Sequence, residues 1–361
     1  MTTLLFSLVA AALLQPPPDS AAFARAKAYA TSTDGQAVLV MHRGRIIHEA
    51  YMAGGRVSAR QLLASGSKSF VGLATLAAVA DGKVSLDAPV ARYLPEWQQD
   101  PRKSRITVRQ LLSLEGGLET GNPGTGCGGR GATWNDAVGA GTFAEPGTTF
   151  RYGPYPFIAM GAALERANGG ETFDAYLARR ILTPLGVTVE WRARCADGKP
   201  QLAGGAAMTA RDWAIVGEFV RLGGVYRGQR LLPESLVHEL FTPARSNPSY
   251  GLSWWLVGAT LLTQPVAELE GNAGGRRGSR GGAPGARAPR RTKANTPGSN
   301  AEATARPAWL PADLVMAAGM GKQRLYVIPS RELVIVRMGR LLGGQAFNDL
   351  DFLKPLLAPI G

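Results

Sequence analysis

A run of apolar residues that begins at Phe70 has the spacing of a buried helix. The apolar positions that continue this spacing are Val71, Leu73, Ala74, Leu76, Ala77, Ala78 and Val79. The run stops at Asp81-Gly82-Lys83, and a glycine in this place is typical of a helix C-terminal cap. The pattern predicts a buried helix that starts at about Ser65 and whose first turn lies at a cleft.

Similar patterns predict the other elements. Helices are predicted at about 21–30, 157–168 and 345–357, and hairpins at about 36–53 and 323–338. We expect the first and last strands to pair in one antiparallel sheet, with a helical subdomain at about 65–256 inserted between them. A cleft is then expected at the edge of the sheet between the two parts, because pockets commonly form at such junctions.

The composition is that of an ordinary globular protein. The chain has 361 residues, of which 45% are hydrophobic and 19% are charged. It lacks H-E-x-x-H, paired cysteines, clustered acidic ligands and the glycine-rich motifs of nucleotide sites, so we expect no metal and no cofactor. None of the three histidines accompanies a Gly-x-Ser-x-Gly elbow, which argues against a Ser-His-Asp triad.

Much of the formal charge of +13 comes from one segment. Between 271 and 306, eight Arg and Lys residues stand against Glu302 alone, a local charge of 8 − 1 = +7. This stretch is rich in Gly and has few apolar residues, so we expect a disordered insertion at about 271–307. RNA binding would favour interleaved aromatic residues, which are absent, so we expect no nucleic-acid partner and favour a solvated insertion or a reading-frame artefact.

The N-terminus and the two cysteines bear on the compartment. The apolar stretch 4–14 is too short to span a membrane and ends in Gln15-Pro16-Pro17-Pro18, so residues 1–18 are interpreted as a signal peptide or a disordered tail. We expect an exported, periplasmic or secreted protein without a membrane span in the mature chain. Cys127 and Cys195 both lie in surface-like loops, and either a disulfide or two free thiols fits the sequence.

Ser65 and Lys68 are three residues apart where the first long helix begins. That spacing places both side chains on one face of a helical turn, so the amine can help to deprotonate the hydroxyl. Free N–H groups and the positive dipole end favour the negative charge that develops during attack. This S-x-x-K arrangement is typical of acyl-transfer enzymes, although a helix-capping serine beside a surface lysine gives the same short motif.

Tyr152 follows a Pro-Gly turn and a predicted short strand, and it is expected to open the helix whose apolar run is predicted at about 157–168. With Ser65, Lys68 and this tyrosine, the sequence resembles the serine β-lactamase-related hydrolases. That group holds class C β-lactamases, D-Ala-D-Ala peptidases, family VIII esterases and 6-aminohexanoate oligomer hydrolases. Further stretches that resemble the group in the same order are 81–97, 106–118, 205–212, 223–225 and 250–255. The resemblance covers roughly residues 34–256 and 312–361.

The resemblance implies the α/β + α architecture of the β-lactamase/transpeptidase-like fold, an antiparallel sheet flanked by helices with an inserted all-α domain. Residues 19–361 would form this catalytic domain. The resemblance also implies Ser65 as the nucleophile and Lys68 with Tyr152 as the proton-transferring pair. The backbone N–H of Ser65 and one N–H after Gly319, near Met320, would hold the oxyanion.

Two positions depart from the motifs of the group. Pro154 stands where the second motif, Tyr-x-Asn, has its asparagine, and Ala317-Ala318-Gly319 stands where the third motif has Lys-Thr-Gly or His-x-Gly. Gly319 keeps the close backbone approach that the third motif needs. Lys322 either supplies the missing cation from a shifted position or is solvated, and we favour the second interpretation.

These departures shape the expected function. We expect a serine hydrolase that forms an acyl-enzyme on Ser65 and acts on a small ester or a linear amide. A catalytically silent binding protein, and a weak β-lactamase or D-Ala-D-Ala peptidase, are the alternatives.

Overall fold

A computed structural model describes residues 17–122, 126–256, 306–344 and 346–358. Two segments discussed in the sequence analysis are almost entirely absent from these ranges. Of the N-terminal segment 1–18 and the insertion 271–307, all but residues 17, 18, 306 and 307 lie outside the described residues.

One antiparallel sheet organises the fold. The described strands are β1 (Gly35–His42), β2 (Arg45–Tyr51), β3 (Gln61–Leu62), β4 (Glu190–Trp191), β5 (Ala206–Met208), β6 (Val225–Tyr226), β7 (Gln229–Arg230), β8 (Trp255–Leu256), β9 (Val315–Gly319), β10 (Gln323–Ile328) and β11 (Leu333–Gly339). Six of them form the main sheet in the order β2-β1-β11-β10-β9-β8. The pairing of β1 with β11 confirms that the first and last long strands share one sheet.

Both predicted hairpins are present. β1 and β2 are joined at Arg43 and Gly44, whose φ angles of 50° and 74° are those of the tight turns that suit strand twist. β10 and β11 form the second hairpin, in which Arg324 pairs with Arg337. The two hairpins meet where β1 lies beside β11, so the middle of the sheet comes from opposite ends of the sequence.

Helices cover the sheet and fill the region between β2 and β8. They are α1 (Ser20–Ser32), α2 (Lys68–Ala80), α3 (Val108–Leu112), α4 (Trp134–Gly139), α5 (Tyr155–Ala167), α6 (Phe173–Leu177), α7 (Thr183–Leu185), α8 (Ala210–Arg221), α9 (Glu234–Glu239) and α10 (Asp349–Leu357). α2 is buried on nearly every side, as its apolar run predicts. Within the described residues, no helix is long and apolar enough to cross a membrane.

Three predicted helix starts differ from the structure. Ser65 lies in a 3₁₀ turn, Ala64–Ser67, and the α-helix begins only at Lys68. Tyr152 does not open α5, which begins three residues later at Tyr155. α10 begins at Asp349 rather than at 345, because the side chain of Asn348 caps it by accepting the N–H of Leu350 at 2.8 Å.

A short sheet positions the turn before α2. Its strand order is β3-β5-β4, and Gln61 of β3 pairs with Met208 of β5. The Leu63 N–H then donates to the Ala206 carbonyl at 2.8 Å, which extends the pairing to the edge of the Ser65 turn. The local sheet therefore fixes where α2 starts.

A disulfide joins Cys127 to Cys195, with a Cα–Cα distance of 5.7 Å. Both cysteines are buried, so their expected surface position is wrong, and the choice between a disulfide and free thiols is resolved in favour of the bond. The bond closes a loop of 68 residues that contains α4 and α5. It therefore ties together the segments on either side of Tyr152.

Removal of this disulfide should lower the stability without changing the fold. A loop of this length gives about 2–4 kcal/mol of stabilisation, mainly because the cross-link restricts the unfolded chain. We expect the double variant Cys127→Ala, Cys195→Ala to show a lower Tm and an unchanged far-UV circular dichroism spectrum. Dithiothreitol should lower the Tm of the wild type and leave that of the double variant unchanged. Equal Tm values for the two proteins under oxidising conditions would contradict the bond.

Candidate active site

The turn that carries Ser65 is held by backbone hydrogen bonds on both sides. The Leu63 N–H bonds to Ala206, and the Gly66 N–H donates to the Leu63 carbonyl at 3.0 Å. Ala64 has a φ of 48°, in the left-handed region that a residue with a Cβ seldom adopts. This sharp turn leaves Ser65 partly exposed while its two neighbours are buried.

Lys68 lies beside the Ser65 hydroxyl. Its Nζ is 3.1 Å from Ser65 Oγ and donates to the Ala203 carbonyl at 2.9 Å. The rings of Tyr152 and Phe157 flank the same nitrogen, with centroids 4.7 Å and 5.7 Å away. Lys68 is only 4% exposed, so these contacts hold the amine in one place next to the serine.

Tyr152 lies in an irregular segment whose backbone is fixed on both sides. The Arg151 N–H donates to the Leu114 carbonyl at 3.1 Å, and the Tyr155 N–H donates to the Thr120 carbonyl at the same distance. Tyr152 therefore has a defined position although it belongs to no helix or strand.

Two aromatic side chains enclose the Tyr152 ring. Trp255 of β8 stacks on it with centroids 5.6 Å apart, and Tyr250 meets it edge-on at 6.3 Å. Tyr250 is fully buried, and this burial, together with the nearby Tyr152, raises the pKa of its hydroxyl well above the usual value. The Tyr250 phenol therefore stays neutral, and its ring packs edge-on against the Tyr152 ring.

Gly319, the last residue of β9, touches the Ser65 turn backbone to backbone. A Cβ at Gly319 would lie 2.0 Å from the Leu63 carbonyl oxygen and 3.0 Å from the backbone nitrogen of Ser65. A larger residue would displace the turn, so glycine is required for this approach. The structure therefore brings two predicted site residues, Ser65 and Gly319, into contact.

The edge of β9 next to this contact is open to the Ser65 turn. Among the described residues, β8 pairs with β9 only at Val315 and Met316. The rest of the strand, from Ala317 to Gly319, extends beyond β8 towards that turn. Met320 follows in the β9–β10 turn and is 39% exposed. The last predicted site residue is thus at the same end of the strand as Ser65.

Lys322 is not a solvated lysine, and that expectation is wrong. It is 9% exposed, and a Cβ on Gly344 would lie 2.9 Å from its Cγ. Burial opposes ionisation of the Asp349 carboxylate in α10. Nearby positive charges, Arg324 foremost and Lys322 among them, nevertheless hold the pKa of Asp349 below its usual value. The Lys322 side chain therefore packs against Gly344, and Ala317 stands where the resembled motif has its cation.

Pro154 is buried directly before α5, where a proline is tolerated because the first N–H groups of a helix have no partner within it. It has no side-chain amide to offer to a substrate or to Lys68. The position of the Lys68 amine is set by the Ala203 carbonyl and by the aromatic rings instead.

The sequence did not identify Ala203, Phe157 or Trp255 as members of the site. Ala203 acts through its backbone carbonyl, which every residue has, so no sequence signal marks it. Trp255 belongs to the stretch 250–255 that resembled the family, and this was the available signal. Among the described residues, no group of three or more His, Cys, Asp or Glu side chains could hold a metal ion.

Comparison with known proteins adds relatives to this geometry. The chain is 27% identical over 260 residues to the 6-aminohexanoate-dimer hydrolase of Paenarthrobacter ureafaciens, which covers 63% of this chain and 65% of the relative. It is 44% identical over 59 residues to esterase EstB of Burkholderia gladioli, which covers 16% and 15% of the two chains. The chain thus spans less than two thirds of the length of either relative.

The fold is shared with solved structures. EstCE1, described as a hydrolase with promiscuous acyltransferase activity, superposes with a TM-score of 0.67 at 17% identity, covering 93% of this chain and 98% of that one. A family VIII carboxylesterase superposes with a TM-score of 0.65 at 15% identity, covering 95% and 98%. These structures confirm the predicted β-lactamase/transpeptidase-like fold.

The family profile described as Beta-lactamase matches residues 20–354, nearly the whole chain. With that match and the shared fold, the chain belongs to the β-lactamase family.

Proposed function

We propose that this protein is a serine hydrolase that forms an acyl-enzyme on Ser65 and cleaves small esters or linear amides. The observation that carries the proposal is the 3.1 Å distance between Lys68 Nζ and Ser65 Oγ, at a turn that the end of β9 contacts directly. Nucleophile, base and oxyanion donors have to meet at one point for acyl transfer.

In the first step, the Lys68 amine acts as the base and accepts the Ser65 proton while Oγ attacks the substrate carbonyl. The amine is held by the Ala203 carbonyl, so it is aligned before the substrate arrives. The Tyr152 ring lies against the same nitrogen. We assign Tyr152 the transfer of this proton from Lys68 to the leaving group, because a phenol can both donate and accept a proton.

The tetrahedral intermediate carries a negative charge on the former carbonyl oxygen. We assign its stabilisation to the backbone N–H groups of Ser65 and Met320. The backbone at Gly319, directly before Met320, lies close to Ser65, since an added Cβ at Gly319 would be only 3.0 Å from the Ser65 nitrogen. Fixed donors of this kind need no reorganisation when the charge develops. Collapse of the intermediate releases the protonated alcohol or amine. Water then gives a proton to the Lys68–Tyr152 pair and attacks the ester on Ser65, and the pair returns the proton to Ser65 Oγ as the acid is released.

The substrate class follows from what the site lacks. Ala317 offers no cation to a substrate carboxylate, Pro154 offers no amide, and the Lys322 side chain is buried against Gly344. Uncharged esters and linear amides are therefore favoured over β-lactams, which carry a carboxylate. The names of the relatives, a 6-aminohexanoate-dimer hydrolase and an esterase, support a hydrolase of small amides or esters.

Export is part of the proposal. Disulfides form and persist in oxidising compartments, and the Cys127–Cys195 bond, together with the apolar N-terminal segment, favours the periplasm or the medium.

Ser65→Ala should abolish hydrolysis of p-nitrophenyl butyrate, because no other nucleophile is assigned to the site. We expect kcat to fall by on the order of 10⁴-fold or more. The Tm should stay within about 2 °C of the wild type, since a partly exposed hydroxyl contributes little to stability. A fluorophosphonate probe should label the wild type at Ser65 and leave the variant unlabelled.

The matched control for this prediction is Ser69→Ala, one turn along α2. Ser69 is buried and donates to the Gly66 carbonyl at 2.7 Å, so its loss tests the turn without removing the nucleophile. It should retain labelling and turnover. Retained turnover in Ser65→Ala would disprove the nucleophile. A well-folded wild type that the probe does not label would instead identify a silent binding protein.

The wild type should hydrolyse short-chain esters and show little turnover of nitrocefin. A charge-assisted hydrogen bond to a carboxylate contributes roughly 1.5–3 kcal/mol, so its absence lowers turnover by about one to two decades. Ala317→Lys should restore part of the nitrocefin activity, whereas the size-matched, uncharged Ala317→Met should not. Nitrocefin turnover by the wild type that equals its best ester would contradict the substrate class and favour a β-lactamase.

When the full chain is expressed in a Gram-negative host, the protein should be recovered from the periplasm or the medium with both cysteines oxidised. Alkylation under denaturing conditions, read by mass spectrometry, should modify neither cysteine before reduction and both after it. Recovery from the cytosol with both thiols alkylated before reduction would overturn the assignment of the compartment.

A further inference from the structure

Two arginines are fully buried in the sheet behind the end of β9. Arg324 of β10 and Arg337 of β11 are cross-strand partners, and each is 0% exposed. A guanidinium that leaves water needs compensating partners in the protein. The hydrogen-bond partners of these two arginines indicate their role.

Both side chains donate to the backbone of the β9–β10 turn. Arg324 Nη1 donates to the Gly319 carbonyl at 3.2 Å, and Arg337 Nη1 donates to the carbonyls of Lys322 at 2.9 Å and Gly321 at 3.3 Å. This turn contains Met320, whose N–H is the second donor of the proposed oxyanion hole. The buried charges therefore fix the backbone on both sides of that donor.

Other groups around the arginines keep them charged and in place. Arg324 Nε donates to Asp349 Oδ1 at 2.9 Å, and the Tyr326 hydroxyl bonds to the same oxygen. Arg337 Nη2 donates to the Thr33 carbonyl at 2.5 Å. Burial lowers the pKa of Arg337 to about 10, which still leaves it protonated at neutral pH. Two buried cations therefore contact the β9–β10 turn from the side of β10 and β11.

The contact of Arg324 with Gly319 has a direct chemical consequence. The Gly319 carbonyl and the Met320 N–H belong to one peptide unit, and the described chain has no cis peptide bond. In a trans unit the oxygen and the hydrogen point in opposite directions. A cationic donor on the oxygen polarises the unit and strengthens its N–H as a donor, because linked hydrogen bonds reinforce one another.

We propose that Arg324 is a positioning residue for the oxyanion hole. It binds the carbonyl of the Gly319–Met320 peptide from the sheet side and thereby orients and polarises the N–H that holds the oxyanion. This inference rests on the proposed function, since it needs an oxyanion to be formed at Ser65. In this role Arg324 acts through the Gly319–Met320 peptide and not on the substrate itself.

The test compares Arg324→Met and Arg324→Lys with Asp349→Asn. Both Arg324 variants lose the planar fork that reaches Asp349 and Gly319 together, and the lysine keeps a buried positive charge beside Asp349. Asp349→Asn disrupts the same ion pair but leaves the bond to Gly319 available, so it is the matched control for lost stability. All assays use the full chain well below the Tm of the least stable variant.

We expect kcat for p-nitrophenyl butyrate to fall about tenfold in both Arg324 variants, with KM unchanged within about twofold. This is less than the roughly 10²–10³-fold loss that follows removal of a whole oxyanion donor. The rate of fluorophosphonate labelling should fall by the same factor, because that reaction also places an anionic oxygen in the hole. Asp349→Asn should lose stability but keep kcat within about twofold.

The outcomes separate the two proposals. If the wild type hydrolyses the ester and is labelled at Ser65, but the Arg324 variants keep kcat, the role of Arg324 is wrong and the proposed function stands. Equal losses in the Arg324 and Asp349 variants would also overturn it, since they would indicate a structural role only. If Arg324→Met does not fold, Arg324→Lys is read alone by the same criteria. A wild type that is neither labelled nor active disproves both proposals.

Discussion

The structure depends on the contact between the Gly319 backbone and the turn that carries Ser65. At this contact a strand end of the main sheet reaches the start of α2 with no room for a side chain, so sheet and helical region are set against each other by backbone atoms. The small sheet formed by β3, β5 and β4 anchors the other side of the same turn. The distances within the candidate site therefore follow from main-chain packing, which tolerates little displacement.

Burial positions the polar groups of the site. Lys68 begins a largely apolar helix, and its amine contacts the Ser65 hydroxyl, the Ala203 carbonyl and two aromatic rings. On the sheet side, the buried guanidinium of Arg324 is compensated by the Asp349 carboxylate and the Gly319 carbonyl, and that of Arg337 by the carbonyls of Lys322 and Thr33. Buried groups of both kinds act as rigid supports, because an alternative position would leave a charge without partners.

The sequence predicted the elements whose periodicity is strong. The apolar run from Phe70 gave α2, and the alternating stretches gave the β10–β11 hairpin and the pairing of the first and last long strands. The sequence did not predict the start of an element correctly where a local interaction sets that start. Ser65 is in a 3₁₀ turn because Ala64 adopts a positive φ, and α10 starts late because Asn348 caps it. Lys322 was misjudged because a charge near a turn is usually solvated, whereas here the chain folds back over it at Gly344.

The pairing of β1 with β11 has a consequence for how the chain is made. Inside the main sheet, residues 35–42 pair with residues 333–339, so the β1–β11 ladder cannot close until almost all of the protein has left the ribosome. Until then β1 has only β2 beside it and exposes an unpaired, apolar edge. Such long-range topologies fold slowly and are exposed to aggregation meanwhile. Early termination anywhere before β11 therefore removes the middle of the sheet rather than its margin, and a truncated product should be a substrate for chaperones and proteases.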